Sequence, residues 1–416
     1  MADGQPRNIV VCCDGTSNEI GVLLSNVLKL YRLCEKSEEQ LTFYQSGIGT
    51  IAMPDSWGRW RQKIRSIFEM ATGRGLDRDV LNAYRFLCIH YRPGDRIFLF
   101  GFSRGAYTVR VLAGMIYLIG LLREHQANFA EYALKAYKAC SSTNEQTAHD
   151  FSEVVLPQVV AIDFLGVWDT VASVIVPGRA PFSKLRLEEL PYTSKNPGVG
   201  TFRQAIAIDE FRRMFRIERW PEGLEFKPNR FSTGTNPKQD CRHVWFAGCH
   251  SDIGGGYRED QSAISKIPLL WMIDQASAAG LKVRTQMVNH IARGMPRKNA
   301  RTYQRPNPNG PLHNSMGWYW WLVEWIPKSA RLKDWPKRKT FLGLYIPWAE
   351  PRFIAPDELV SEAVYKRMQD PSYHPVNVPP RKNVEPMSVP PPTKPAPGKT
   401  KKPPATPAVA KPAGPA

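Results

Sequence analysis

No stretch of this 416-residue chain is apolar for long enough to cross a bilayer. The longest run, Val111 to Leu122, stops well short of the roughly 20 residues a spanning helix needs. MADGQPRNIVVCCDG also lacks a charged-then-apolar leader, so export by the general secretory route is not expected. Cysteine is sparse. Cys12, Cys13, Cys34, Cys88, Cys140, Cys241 and Cys249 lie scattered, mostly inside apolar runs, and none stands in C-x-x-C spacing. They read as buried thiols of a protein made in a reducing compartment, which predicts a soluble, cytoplasmic product. Acidic residues are outnumbered 38 to 56, leaving a net charge of +18. That balance suggests anionic partners such as lipid headgroups, acidic proteins or nucleic acid. No zinc finger or RNP pattern is present, so a membrane ranks ahead of nucleic acid and no specific nucleic-acid partner is expected. Internal repeats are absent too. What is plentiful is core-forming material: 43% of residues are hydrophobic, enough for one oversized α/β domain with an inserted cap or for two domains.

The chain is organised around Asp95 to Met115, DRIFLFGFSRGAYTVRVLAGM. Arg96 to Phe100 reads as a buried strand, Gly101, Ser103 and Gly105 form a Gly-x-Ser-x-Gly turn, and an amphipathic helix follows from about Ala106. Strand, glycine turn and helix are the context of a nucleophile elbow, in which a strained serine stands exposed above the sheet. The glycines permit close approach, and the helix N-terminus points positive charge at an oxyanion. Ser103 is therefore the candidate nucleophile, against the plainer reading of a tight turn with an incidental serine.

Either side of the elbow, other strand ends carry chemistry-bearing residues. Asn8 to Cys13 predicts a central parallel strand opening into Asp14-Gly15-Thr16. Val22 to Cys34 and Leu76 to Tyr91 read as helices, Leu41 to Gln45 as a strand. Trp57 to Thr72 reads as a basic amphipathic segment. Asn128 to Cys140 continues helical, and VVAIDFLGVW, Val159 to Trp168, is a buried strand that stops at Asp169. An acid there could hold a histidine's Nδ1 and stabilise the imidazolium. Ser173 to Pro197 is a lid-like excursion, and Phe202 to Phe215 has helical spacing. Val244 to Cys249 is a further strand, and His250 stands on the loop that leaves it, followed by Asp252 and Gly254-Gly255-Gly256. Asp14 and Asp252 are rival acids or supports. For the oxyanion hole the backbone N–H of Arg104 and one from Gly15-Thr16 are expected. Ser103, Asp169 and His250 occur in the chain order of α/β hydrolases.

Beyond the helix Ile267 to Gly280 the pattern weakens. GWYWWLVEWIP, Gly317 to Pro327, gathers Trp318, Tyr319, Trp320, Trp321 and Trp325 ahead of Lys328, Arg331, Lys333, Lys337, Arg338 and Lys339. Interfacial indoles beside cations match a membrane contact; filling the core of a cap is the alternative. Pro371 to Ala416 holds 15 of the 36 prolines and seven Lys/Arg against Glu385 alone, so a disordered cationic tail is expected.

VCCDGTSNE, YQSGIGT, GDRIFLFGFSRGAYTVR, FLGVWDTV, AIDEFRRMF and VWFAGCHSDIGGGY together resemble the successive signatures of the uncharacterised α/β-hydrolase domain family that includes the type VI secretion phospholipase effectors. The likeness covers roughly residues 8 to 280. It implies a Ser-Asp-His hydrolase with Ser103, Asp169 and His250 on the triad positions, and phospholipid acyl ester hydrolysis in the best known members. The combined expectation is an α/β-hydrolase-like, mostly parallel sheet flanked by helices in residues 1–285, with cap or lid insertions. A cap or membrane-contact region in 286–370 and the tail from 371 follow. The expected function is a phospholipase or lipase; a water-soluble esterase or thioesterase, and a catalytically silent adaptor, are the alternatives. No metal or organic cofactor is implied. A secretion or immunity protein as partner, and delivery by a secretion system, remain open.

Overall fold

The computed structural model describes residues 6–15, 23–47, 74–141, 144–170, 175–176, 186–187, 190–231, 234–330 and 333–388. The expected segment Trp57 to Thr72, Thr16 and most of Ser173 to Pro197 lie outside them. Eight strands make one sheet: β1 (Asn8–Cys13), β2 (Gln40–Gln45), β3 (Arg96–Phe102), β4 (Ile162–Trp168), β5 (Val199–Ala207), β6 (Asp240–Phe246), β7 (Leu359–Ser361) and β8 (Val384–Glu385). Their spatial order is β8-β7-β6-β5-β4-β3-β1-β2, and the described pairings within this sheet are all parallel. This is the α/β sheet flanked by helices that the sequence predicts.

A parallel sheet covered on both faces reads as continuous apolar sequence, because successive residues point to opposite but equally buried sides. The two cores show it. Ile9, Val11, Ile97 and Leu99 enter one cluster with α2 (Arg74–His90), α3 (Arg104–Ile119), α4 (Ala130–Ala139) and α5 (Gln146–Val155). Val10, Cys12, Phe98 and Phe100 enter the other with α1 (Asn26–Leu33) and α7 (Lys266–Ala278); between those two helices the chain forms the short α6 (His250–Gly254). The same logic explains a correction. Phe202 to Phe215, with its helical spacing, begins inside strand β5. Burial on both faces erased the period-2 signal that separates strand from helix.

Strand order reverses between β1 and β3: from β1 the chain steps outward to β2, then returns to the other side for β3 and moves on to β4. At such a switch point the connections leaving two neighbouring strands diverge and open a crevice at their carboxyl ends. Asp14 ends β1, and Ser103 ends β3, beside it.

Part of the stretch from Pro371, expected as a tail, is anchored on the sheet and its loops. Tyr373 is buried and donates to Asp209 Oδ2 at 2.9 Å. β8 pairs with β7, and Glu385 accepts from Trp271 Nε1 at 2.8 Å. Composition averaged over the proline-rich end concealed these few anchoring residues.

Candidate active site

Ser103 sits between β3 and α3 at φ 56°, ψ −122°, a region that costs a residue with a β-carbon strain and suits glycine. Register fixes it there. Phe102 pairs with Trp168, and the Ser103 N–H donates to Trp168 O at 3.2 Å. Both flanking glycines are obligatory on steric grounds: a β-carbon on Gly105 would stand 2.1 Å from Cys13 O, and one on Gly101 2.4 Å from Gly105 O. The helix starts at Arg104, two residues earlier than its sequence suggests, so the Arg104 N–H lies in the first turn, at the positive end of the helix.

Asp169 follows β4 and is also at positive φ, 38°. Its N–H donates to Ala205 O at 2.8 Å, locking the turn onto β5. Its carboxylate is buried. Oδ1 accepts from Ala207 N at 3.0 Å and from Arg352 Nη1 at 2.6 Å. Oδ2 accepts from His250 Nδ1 at 2.5 Å and from Arg352 Nη2 at 3.2 Å. Burial would push this carboxyl up, but the Arg352 guanidinium and the bond from His250 outweigh it and hold the group well below the usual carboxylate range.

His250 opens α6 rather than standing on a loop. The imidazole is buried between the rings of Phe102, 4.7 Å away at 34°, and Phe215, 5.0 Å away at 71°. Its backbone N–H donates to Glu210 Oε2 at 3.2 Å. Glu210 is buried, which favours the neutral acid, yet its pairing with Arg212 at 2.8 Å holds it below its ordinary range. The structure thus brings His250 and Asp169 into direct contact, and sets Ser103 one residue beyond the ring that packs on the imidazole.

The rival acids have other partners. Asp14 accepts from Gly15 N at 2.7 Å, from Tyr44 Oη at 2.7 Å and from Ser25 Oγ, while Ser25 also caps α1 through Leu28 N at 3.0 Å. Asp14 therefore ties the β1 loop to α1 and β2. The Gly15 N–H, expected in the oxyanion hole, donates to Asp14 Oδ1; Thr16 lies outside the described residues. Asp252 accepts from Cys249 N at 3.1 Å and from His313 Nδ1 at 2.7 Å, and so organises the start of α6. Arg352, Glu210 and His313 escaped sequence reasoning. Arg352 and His313 come from the weakly patterned C-terminal segment, and no local motif marks them.

Part of the aromatic cluster turns inward. Helix α8 (Trp318–Glu324) buries Trp320 against Phe215, centroids 5.7 Å apart, so the expected surface role for Trp320 does not hold. Trp318, Trp321 and Trp325 are 79%, 47% and 55% exposed, with Trp348 packed at 4.5 Å from Trp325. Among the described residues no helix is long and apolar enough to cross a membrane.

A family model described as the catalytic domain of Tle1-like type VI secretion phospholipase effectors matches residues 7–275. An uncharacterized protein of Saccharomyces cerevisiae is 32% identical over 226 residues, covering 50% of this chain and 32% of that protein. The chain therefore spans about a third of that relative's length. A crystal structure of an uncharacterized protein from Pseudomonas aeruginosa is similar at 18% identity and a TM-score of 0.36, over 68% of this chain and 47% of that one.

Proposed function

Since the chain belongs to the family of Tle1-like type VI secretion phospholipase effector catalytic domains, we propose that it is a serine hydrolase cleaving phospholipid acyl esters through Ser103, His250 and Asp169. The observation that carries this reading is the buried His250–Asp169 hydrogen bond of 2.5 Å beside a serine in a strained elbow at the switch point of the sheet. An imidazole whose Nδ1–H is spent on a carboxylate keeps Nε2 as its basic atom. His250 Nε2 takes the Ser103 hydroxyl proton as Oγ bonds to the ester carbonyl carbon, and the carbonyl electron pair moves onto oxygen. The Arg104 N–H at the head of α3 and the dipole of that helix favour the oxyanion. Collapse of the tetrahedral species breaks the ester C–O bond, and the imidazolium returns its proton to the leaving lysophospholipid alkoxide. Water, deprotonated by the same base, then releases the fatty acid and restores Ser103.

The exposed indoles of Trp318, Trp321 and Trp325 support action at a lipid surface. Trp318 and Trp321 stand on the helix whose Trp320 leads, through Phe215, to His250; Trp325 lies just past its end, and exposed Lys337 and Lys339 follow in sequence. Indole rings settle at headgroup depth and cations face anionic lipid. Family membership also supports delivery by a secretion system and an immunity protein as partner.

A fluorophosphonate probe and two substrates test the proposal. Ser103 is expected to be labelled, Ser103→Ala to abolish labelling and turnover, and phospholipid vesicles to be hydrolysed better than short-chain p-nitrophenyl esters. Full activity in Ser103→Ala, or no labelling of the native chain, would overturn the hydrolase reading. Equal rates on dispersed and vesicular esters would leave a water-soluble esterase.

A further inference from the structure

The segment beyond residue 275, where the family match ends, reaches back into the site through one buried cation. Arg352 Nη1 donates to Asp169 Oδ1 at 2.6 Å and to Ala207 O at 3.1 Å; Nη2 donates to Asp169 Oδ2 at 3.2 Å and to Phe215 O at 2.5 Å. One side of the fork thus holds the carboxylate, and the same two nitrogens are anchored on backbone carbonyls at the end of β5 and in the loop after it. The arginine is itself held in place. Asn377 Nδ2 donates to Arg352 O at 3.0 Å and to Ile208 O at 3.2 Å, linking it to the same loop. A two-pronged bond of this kind sets the plane and direction of a carboxylate, which a lysine ammonium cannot do.

We propose that Arg352 is a positioning residue of the hydrolytic site: its fixed charge keeps Asp169 ionised and its fork turns Oδ2 toward His250 Nδ1. The catalytic geometry is then completed only by the C-terminal segment. This rests on the Ser-Asp-His reading above. A carboxylate buried in a protein interior favours its neutral form unless a cation opposes that preference. The groups facing Asp169 are His250 from α6 and Arg352. Glu210, carrying Arg212, meets the His250 backbone N–H, and Asp334, bonded to Arg213, is the next carboxylate toward Arg352. His250 is charged only part of the time during turnover, so Arg352 is the one permanent cation in contact with Asp169 among the described residues.

The test compares native chain, Arg352→Met and Arg352→Lys by the pH dependence of kcat and KM on a p-nitrophenyl ester, with thermal melts alongside. Removing the cation lets Asp169 take up a proton at higher pH, and a protonated acid no longer accepts from His250. The acid limb of the Arg352→Met profile is therefore expected to move to higher pH. Above that limb kcat is expected to fall by about 10- to 100-fold with KM within about twofold, because orientation is lost rather than binding. Arg352→Lys retains the charge and loses the fork, so its acid limb stays while kcat drops. Should Arg352→Met not fold, the lysine variant alone decides: native kcat there overturns the positioning role. A folded Arg352→Met with native kcat and an unmoved limb, however much its melting point drops, reduces the arginine to structural cement. A native chain that neither turns over nor labels at Ser103 takes down the hydrolase reading itself, a result separable from an indifferent Arg352 in an active enzyme.

Discussion

Replacing Ser103 by glycine is expected to stabilise the protein while abolishing its chemistry. Ser103 occupies φ 56°, ψ −122°, where a β-carbon crowds the backbone at a cost of about 1–3 kcal/mol. Glycine escapes that cost, but its freer unfolded chain returns roughly 0.5–1 kcal/mol. The hydroxyl contributes no helix cap, since the Ser103 side chain makes no capping hydrogen bond to α3. Nothing of that kind is lost with it. Ser103→Ala keeps the β-carbon and so keeps the strain, which makes it the proper reference. The net expectation is that Ser103→Gly exceeds Ser103→Ala by on the order of 1 kcal/mol, about 1–2 °C in melting temperature for a chain of this length. Paired thermal and urea denaturation at one pH measures the difference, and a fluorophosphonate probe verifies that both variants are unreactive. A glycine variant melting at or below the alanine variant would refute the claim that the elbow stores strain.

Two further expectations bear on other parts of the molecule. Gly105→Ala sets a β-carbon 2.1 Å from Cys13 O, and because the obstacle is strand backbone rather than a flexible side chain, a loss of about 1–3 kcal/mol is expected. Gly200→Ala in β5, whose nearest neighbour would be at 3.5 Å, should be near neutral; equal melting points for the two would discount the close packing of the elbow against β1. Burial lowers the His243 imidazole to about 4, against the hydrogen bond to Trp220 O that would raise it. Its folded proton affinity lies below the unfolded one near 6.5, so the unfolded chain binds the extra proton. Stability is complete above pH 6.5 and falls by on the order of 3 kcal/mol as pH drops toward 4. Urea midpoints across that range should show a shallower fall for His243→Gln than for the native chain. Parallel slopes would contradict the burial argument.

Much of the candidate site's geometry could be read in the chain because its requirements are local. Gly101, Ser103 and Gly105 lie within one turn, and the need for a strained serine between strand and helix is written in five consecutive positions. Asp169 and His250 were legible for a related reason. Each stands where a buried apolar run ends, and in a parallel sheet such ends gather on one edge. The strands β1, β3 and β4, and the apolar end of β6 (expected over Val244 to Cys249, observed over Asp240–Phe246), were found as apolar runs for the same cause. By contrast, β5 was mistaken for a helix because full burial removes its alternation while buried Arg203 and Gln204 interrupt its apolar run.

What the tertiary structure alone decided is which charges meet. The Arg352–Asp169 bond joins positions 183 residues apart, and His313 reaches Asp252 across 61; no periodicity or motif encodes such pairs, since each depends on how a weakly patterned segment is folded back. The same holds for Asp14, a strand-end acid by sequence and a loop tie once Tyr44 and Ser25 are seen to donate to it. Likewise, indole content along Trp318 to Trp325 was plain from composition, but only packing separated Trp320, turned to Phe215, from the rings left facing solvent. Local backbone demands and the burial of strands are properties of short sequence and can be read there; the pairing of buried charges is a property of three-dimensional proximity and can be read only in the fold.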